Sequence, residues 1–248
     1  MGEDLLVLEK ITKRFGNVVA LRDVDFRVAR REIVGLVGDN GAGKSTLAKI
    51  IVGYYRPDSG RIFLEGKEVR FSSPQEARRA GIEIVYQDMA LVDYMNIYRN
   101  IFLGREIGIG FGPIKILNKK AMKEVALKLI KEIGIADKDP DIEVSKLSGG
   151  ERQAIAIARA IYFGAKLIIF DEPTSALSVR ETENVLKLIS SLKDRGISSI
   201  VISHNIRHVH AISDRIVVLE KGSKILDIPK SSTTPEEIER VIAFGRAV

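Results

Sequence analysis

Apolar positions in the first third of the chain follow strand patterns. LLVLEKI comes first, then VVALRDVDFRV with partial alternation, then IVGLV, which is apolar throughout apart from one glycine. Alternation followed by a solid apolar run predicts an antiparallel piece beside a buried parallel sheet. A helix is predicted over residues 45–52, a turn in RPDSG, a short strand pair over 61–71, a short helix opened by Pro74, and a strand in IEIVYQ. From residue 89 to about 164 the pattern becomes helical. REIGIGFGPIKILN, with three glycines and a proline, reads as a surface loop or mobile connection. Asn118 caps a helix whose Met122, Val125, Ala126, Leu129, Ile130 and Ile133 fall at helical spacing and which stops at Gly134. Strand and helix then alternate: LIIF, a helix over 180–195 with a capping box at Ser178 and Glu181, ISSIVIS, a short helix through His208, and RIVVLEKG. Thr234, Pro235 and two glutamates open a last helix. Such alternation predicts a parallel sheet covered on both faces.

Composition narrows the class. The chain has 248 residues, 45% of them apolar, enough for one large domain or two small ones. No run approaches the roughly 18 apolar residues of a spanning helix, and the opening MGEDLL is acidic, so the expectation is a cytosolic protein, neither secreted nor membrane-inserted. The absence of cysteine removes disulfides, thiolate metal sites and thiol nucleophiles, and three histidines leave little for a histidine-rich metal site. A net charge of +6 suits nucleic acid, an anionic membrane face or a polyphosphate, yet lysines spread over amphipathic stretches such as AMKEVALKLIKEIG also read as a solvated surface.

The chemistry is concentrated in a few places. Gly38, Asp39, Asn40, Gly41, Ala42, Gly43, Lys44 and Ser45, with Thr46 behind, fit the phosphate-loop pattern between an apolar strand and a helix. Glycines there let backbone N–H groups turn onto phosphate oxygens, the helix amino terminus adds its dipole, Lys44 supplies a point charge and the Ser45 hydroxyl can ligate magnesium. LIIFDEP places Asp171 at a buried strand's carboxyl end, able to hold a magnesium shell, and Glu172 beside it, able to orient or deprotonate a water. Gln87 and His204 follow two other apolar strands in the same way, so all four could converge on one phosphate; taken singly, each also reads as a capped or solvated polar residue. His208 and His210 read as surface residues. In SKLSGGERQ, Ser148 and Glu151 form a capping box before the buried run AIAIARAI, a purely structural role. The box does not require glycine at 149 and 150, and glycines there expose N–H groups to an anion.

The ordered set of phosphate loop, Gln87, LSGGE, LIIFDEP and His204 resembles the ATP-binding subunits of ABC transporters over nearly the whole chain. The resemblance implies a single α/β cassette over 1–248: a P-loop NTPase core with a parallel sheet, an amino-terminal antiparallel β subdomain and an inserted helical subdomain over about 89–164. It implies ATP with magnesium, Glu172 as catalytic base, His204 on the γ-phosphate, Gln87 in the magnesium shell, and Phe15 of KRFGN stacked on adenine where tyrosine is commoner. Ser148, Gly149 and Gly150 would act in trans on ATP held by a second cassette, in a head-to-tail dimer, a homodimer by expectation. Ser178 in SALS stands where the wider family has aspartate. GIEIVYQDMALVDYMNIYRNIFLGRE and SALS resemble the cassettes of ribose- and xylose-type importers, which often join two cassettes in one chain, whereas one is present here. The implied partners are integral membrane permease subunits, received over residues 89–102, and indirectly a solute-binding protein, with the chain peripheral on the cytoplasmic face of the cell membrane. A soluble ABC ATPase acting on nucleic acid is the rival class, but the long coiled coils or fused cassettes usual there are missing, so no nucleic-acid partner is expected. A non-hydrolysing nucleotide binder would lack the base or the signature, and both are present.

Overall fold

The computed structural model describes residues 3–110, 116–135 and 138–245. In chain order it contains β1 (Asp4–Phe15), β2 (Val18–Ala29), β3 (Ile33–Val37), α1 (Lys44–Ile51), β4 (Ser59–Leu64), β5 (Lys67–Val69), α2 (Pro74–Arg79) and β6 (Ile82–Val85). There follow α3 (Ile97–Phe102), β7 (Gly108–Ile109), β8 (Ile116–Leu117), α4 (Lys119–Glu132), α5 (Gly149–Tyr162), β9 (Leu167–Asp171) and α6 (Val179–Ser191). The chain continues through β10 (Ser198–Ile202), α7 (Ile206–Ile212), β11 (Arg215–Glu220), β12 (Ser223–Pro229) and α8 (Pro235–Phe244). A first compact unit takes in the chain up to Gln87, Ala165–Ser175 and the chain from Ile189 on; a second takes in Asp88–Gly164 and Ala176–Leu188.

The first unit carries two sheets. One is antiparallel, in the order β2-β1-β4-β5, as the partial alternation early in the chain predicts. The other runs β12-β11-β3-β10-β9-β6, and every neighbouring pair in it is parallel except β11 with β12. The apolar stretch IVGLV is the buried central strand β3. Its glycine is required by packing, because a Cβ on Gly35 would lie 2.3 Å from a methyl of Val209 on α7. Helix α1 contributes Leu47, Ile50 and Ile51 to a core that joins Leu6, Leu8, Ile11 and Phe26 of the antiparallel sheet to Val34, Leu36, Ile169 and Ile200 of the parallel one. The strand β12 was not expected. It is half-buried along its length and carries Lys224 and Asp227, so an edge position gives it too weak an apolar signal.

The second unit is helical, with Ile97, Ile101, Phe102, Met122, Ala126, Ile130, Ile155 and Ala158 in one buried cluster. Asn118 caps α4 by accepting the Ala121 N–H at 3.1 Å, and Gly134 (φ 84°) follows the helix end. The fully buried Asn100 side chain binds the Val92 N–H at 2.7 Å and donates to the carbonyls of Val92 and Met95, fixing the turn before α3. The glycine-rich connection expected as a loop contains the two-residue ladder of β7 with β8, and its residues 111–115 lie outside the described residues. Helix α6 ends at Ser191, shorter than the 180–195 expectation.

The first unit is tied together by Arg215, whose side chain is 10% exposed. Its Nε donates to Glu32 at 2.7 Å, one terminal nitrogen to Asp227 at 2.5 Å, and the other to the Arg27 carbonyl at 2.6 Å, so β11 holds β12 and the chain around β2 and β3 at once. Burial alone would raise the Asp227 carboxyl, but hydrogen bonds from Lys224 and Arg215 outweigh it and hold it below its ordinary value. Its stabilising contribution is therefore full above the ordinary carboxylate pKa of about 4 and is lost as the pH falls through the depressed value. Removing one partner of a buried ion cluster strands the others. Arg215→Ala should lower unfolding stability by about 3 kcal/mol in a denaturant titration at pH 7, with the difference shrinking toward acid pH.

Candidate nucleotide site

The phosphate loop joins the buried strand β3 to α1. Its glycines serve different ends. A Cβ on Gly38 (φ 145°) would lie 2.2 Å from the Leu219 carbonyl oxygen, and one on Gly43 (φ 106°) 2.7 Å from that of Ala20, so close backbone packing excludes side chains at both. Gly41 (φ 78°) meets nothing within 4 Å and is needed only for its left-handed backbone. The N-cap residue of α1 is Gly43, which has no side chain to cap the first N–H groups of the helix. Lys44 lies across the loop, its ammonium donating to the carbonyls of Gly38 at 2.7 Å and Asp39 at 2.8 Å. Burial lowers the Lys44 pKa against the opposing pull of Glu172, Asp39 and Asp171.

A cleft of about 380 Å³ lies over this loop, lined by Val18–Ala20, Asn40–Thr46, Gln87, Asp171, Glu172 and Ile202. The parallel sheet explains the convergence: β9 ends at Asp171, its neighbour β10 at Ile202 in register with it, and Gln87 lies two residues beyond β6. Burial and the adjacent Glu172 charge raise the Asp171 carboxyl, with Lys49 and Lys44 opposing. Glu172 adopts φ 52°, rare for a residue with a side chain, and its N–H donates to the Ile202 carbonyl at 2.9 Å. Its carboxylate receives the His204 N–H and the Ser203 hydroxyl, each at 2.9 Å, and His204 Nδ1 is 2.9 Å from Oε2. Of the other expected residues, Gly38 and Asp39 are not among those lining the cleft, and their carbonyls accept from Lys44. Phe15, at the end of β1, is 41% exposed and packs edge-on against Tyr55, with ring centroids 5.0 Å apart. Sequence reasoning missed Ser203, Thr174 and Asn205. His208 and His210, expected at the surface, are half-buried instead. His208 bridges Thr174 and Asn205 at 3.2 Å each, and His210 meets the Thr233 carbonyl at 2.9 Å. Only their partners, distant in sequence or in loops, distinguish these from solvated histidines.

Ser45, Gln87 and Asp171 offer hydroxyl, amide and carboxylate oxygens to one cleft. Among the described residues no group of three or more acidic or histidine side chains forms a cage for a metal. That set suits a small hard cation that takes most of its ligands from phosphate and water.

The second unit holds Ser148, Gly149 and Gly150 at the start of α5. The capping box is formed: the Ser148 N–H meets Glu151 at 2.9 Å and the Glu151 N–H meets the Ser148 hydroxyl at 3.3 Å. The two glycines have a packing role that the sequence alone did not suggest. A Cβ on Gly149 would lie 2.7 Å from a Leu177 methyl, and one on Gly150 3.0 Å from the Glu181 Cβ. The Gly150 N–H donates to Glu181 Oε1 at 3.1 Å, while Ser178 gives its hydroxyl and N–H to Oε2 at 2.7 and 3.0 Å. The Ser178 hydroxyl first, then the Gly150 and Ser178 N–H groups and the Ser148 hydroxyl, hold the Glu181 carboxyl down at about 2. The capping box expected at Ser178 and Glu181 is present, and its carboxylate also reaches the amino end of α5.

A phosphate loop feeding a helix, beside two acidic residues at the edge of a parallel sheet, defines a P-loop nucleotide hydrolase. The ABC transporter family pattern matches residues 21–175. The chain is 49% identical over 240 residues to a xylose/arabinose import ATP-binding protein of Sulfolobus acidocaldarius, covering 96% of this chain and 94% of that one. It is 44% identical to a fructose import ATP-binding protein of Rhizobium meliloti, covering 95% and 93%. The fold also matches the dimeric structure of a post-hydrolysis state of an ATP-binding cassette bound to ADP and Pi, with a TM-score of 0.74, 25% identity, and coverage of 91% and 98%. The chain belongs to the ABC transporter family, as one of its ATP-binding and ATP-hydrolysing subunits.

The raised Asp171 carboxyl yields a stability test. A carboxyl whose pKa is raised by folding destabilises the native state when ionised, so the penalty is present at neutral pH and vanishes below the ordinary value of about 4. Asp171→Asn should therefore raise the melting temperature of the nucleotide-free chain at pH 7, and the gain should disappear near pH 4, as followed by thermal scans across pH.

Proposed function

We propose that the chain binds ATP with magnesium and hydrolyses it to energise sugar import through a separate integral membrane permease, lying peripherally on the cytoplasmic face of the membrane. The carrying observation is the placement of Glu172 directly after Asp171 at the edge of the sheet, in one cleft with Lys44, Ser45 and Gln87. In this reading the whole chain is one cassette, with residues 89–164 as its helical arm. Phe15 stacks on adenine, and the N–H groups from Gly38 through Thr46 cradle the phosphates with Lys44. Ser45, Asp171 and Gln87 hold magnesium, which neutralises phosphate charge when bound. Glu172 takes a proton from the attacking water, and the exposed ring of His204, 72% accessible, turns to the γ-phosphate.

A second cassette completes the site, its Ser148, Gly149 and Gly150 meeting the γ-phosphate from the other side. The sugar reading draws support from the two import subunits to which the chain is so similar over nearly its full length. In a sugar importer of this kind, a solute-binding protein would deliver the sugar to the permease. Among the described residues no helix is long and apolar enough to cross a membrane, which fits a subunit that borrows its translocation path.

Two substitutions test the reading. Lys44→Ala should abolish measurable ATP binding in a fluorescent-nucleotide titration, and unchanged affinity removes the phosphate-loop assignment. Glu172→Gln should bind ATP normally, lose hydrolysis by at least about a hundredfold and elute as a dimer with ATP present. A variant that stays monomeric under those conditions counts against the two-cassette site.

A further inference from the structure

Whatever fixes the Glu172 carboxylate comes from the residues that follow β10. Ser203 is 2% exposed and gives its hydroxyl to Oε2 at 2.9 Å. Its oxygen already accepts the Asn205 N–H at 3.1 Å, so its single proton is directed at Glu172. Asn205 is fixed in turn. Its side-chain oxygen accepts the His208 N–H, its amide nitrogen meets His208 Nε2, and His208 Nδ1 meets the buried Thr174, two residues past Glu172, each at 3.2 Å. The network thus returns to the segment where it began. A carboxylate oxygen has room for two in-plane donors. Among the described residues Oε2 has the Ser203 hydroxyl and, when Nδ1 carries the proton, the His204 ring, while Oε1 has the His204 backbone N–H alone. While the His204 ring stays on Oε2, the open acceptor position belongs to Oε1.

We propose that Ser203 is a positioning residue for hydrolysis: its buried hydroxyl holds one oxygen of the Glu172 carboxylate and so fixes the orientation in which that group meets the attacking water. The assignment rests on Glu172 being the base. His204 cannot perform this task alone, because its exposed ring is free to leave Oε2, whereas Ser203 is walled in. When the histidine turns away, the serine remains as the side-chain donor on that oxygen.

The test compares Ser203→Ala, Ser203→Cys and Ser203→Thr in the full chain. Ser203→Ala should lower kcat by about tenfold to a hundredfold with the KM for ATP within about twofold of the parent, the loss expected for a misplaced reacting group. Ser203→Thr, which keeps the hydroxyl, should restore most of the rate. The slowed alanine variant should also accumulate the ATP-bound dimer in gel filtration, which a merely loosened fold does not do. Ser203→Cys, closest in shape and a weaker donor, should fall between alanine and threonine, and it carries the comparison if alanine disturbs the strand end. Parental turnover in the alanine and cysteine variants overturns the proposal, as does joint loss of KM, kcat and dimer in both. Glu172→Gln run alongside separates the two levels. If it hydrolyses ATP normally, the base assignment itself falls and takes this proposal with it; if it is inactive and traps the dimer, a failure belongs to Ser203 alone.

Discussion

The structure of the site follows from one constraint, the withdrawal of charges from water at a single edge of the parallel sheet. Lys44 and Asp171 are both partly desolvated, and their pKa values are pushed in the directions that disfavour charge. Their mutual attraction does not cancel the penalty. Lys44 instead spends its donors on two loop carbonyls. A ligand carrying both a polyanion and a hard cation would relieve both ends, the phosphates meeting the lysine and the metal meeting the aspartate. The fold thus holds an electrostatic mismatch, two partly desolvated groups of opposite charge in one cleft.

The mismatch is tolerable because the surroundings are rigid. Close backbone approaches at Gly38 and Gly43 fix the loop against β2 and β11, and Gly35 lets α7 lie directly on β3. Arg215 ties the antiparallel edge strand β12 and the chain around β2 to the central strands through acceptors on three segments. The edge that carries the cleft is where several parallel strands stop together, so side chains from residues 87, 171, 172 and 203–204 are set by main-chain register rather than by flexible loops.

Local patterns were enough to read much of this. The solid apolar run of β3, the phosphate loop, the acidic pair after LIIF, the Asn118 cap and both capping boxes each depend on residues within a few positions of one another. What could not be read depends on partners far away in the chain. Asn100, Arg215, Ser203 and His208 look like ordinary polar residues until tertiary contacts give them partners at distances from 8 to more than 180 positions. The edge strand β12 is half-buried and charged, so periodicity did not register it. Gly149 and Gly150 were legible as unusual, but the packing reason for them lies in Leu177 and Glu181, about thirty residues later.

That packing changes what an incoming phosphate would encounter at the start of α5. The Gly150 N–H is already engaged by the ionised Glu181, which leans on Ser178 and the Ser148 hydroxyl as well. An anion arriving from another chain would meet an occupied donor set, so its binding there is an exchange of one negative partner for another. The free energy gained is then the small difference between two good acceptors. Such an arrangement favours ready release over tenacious grip.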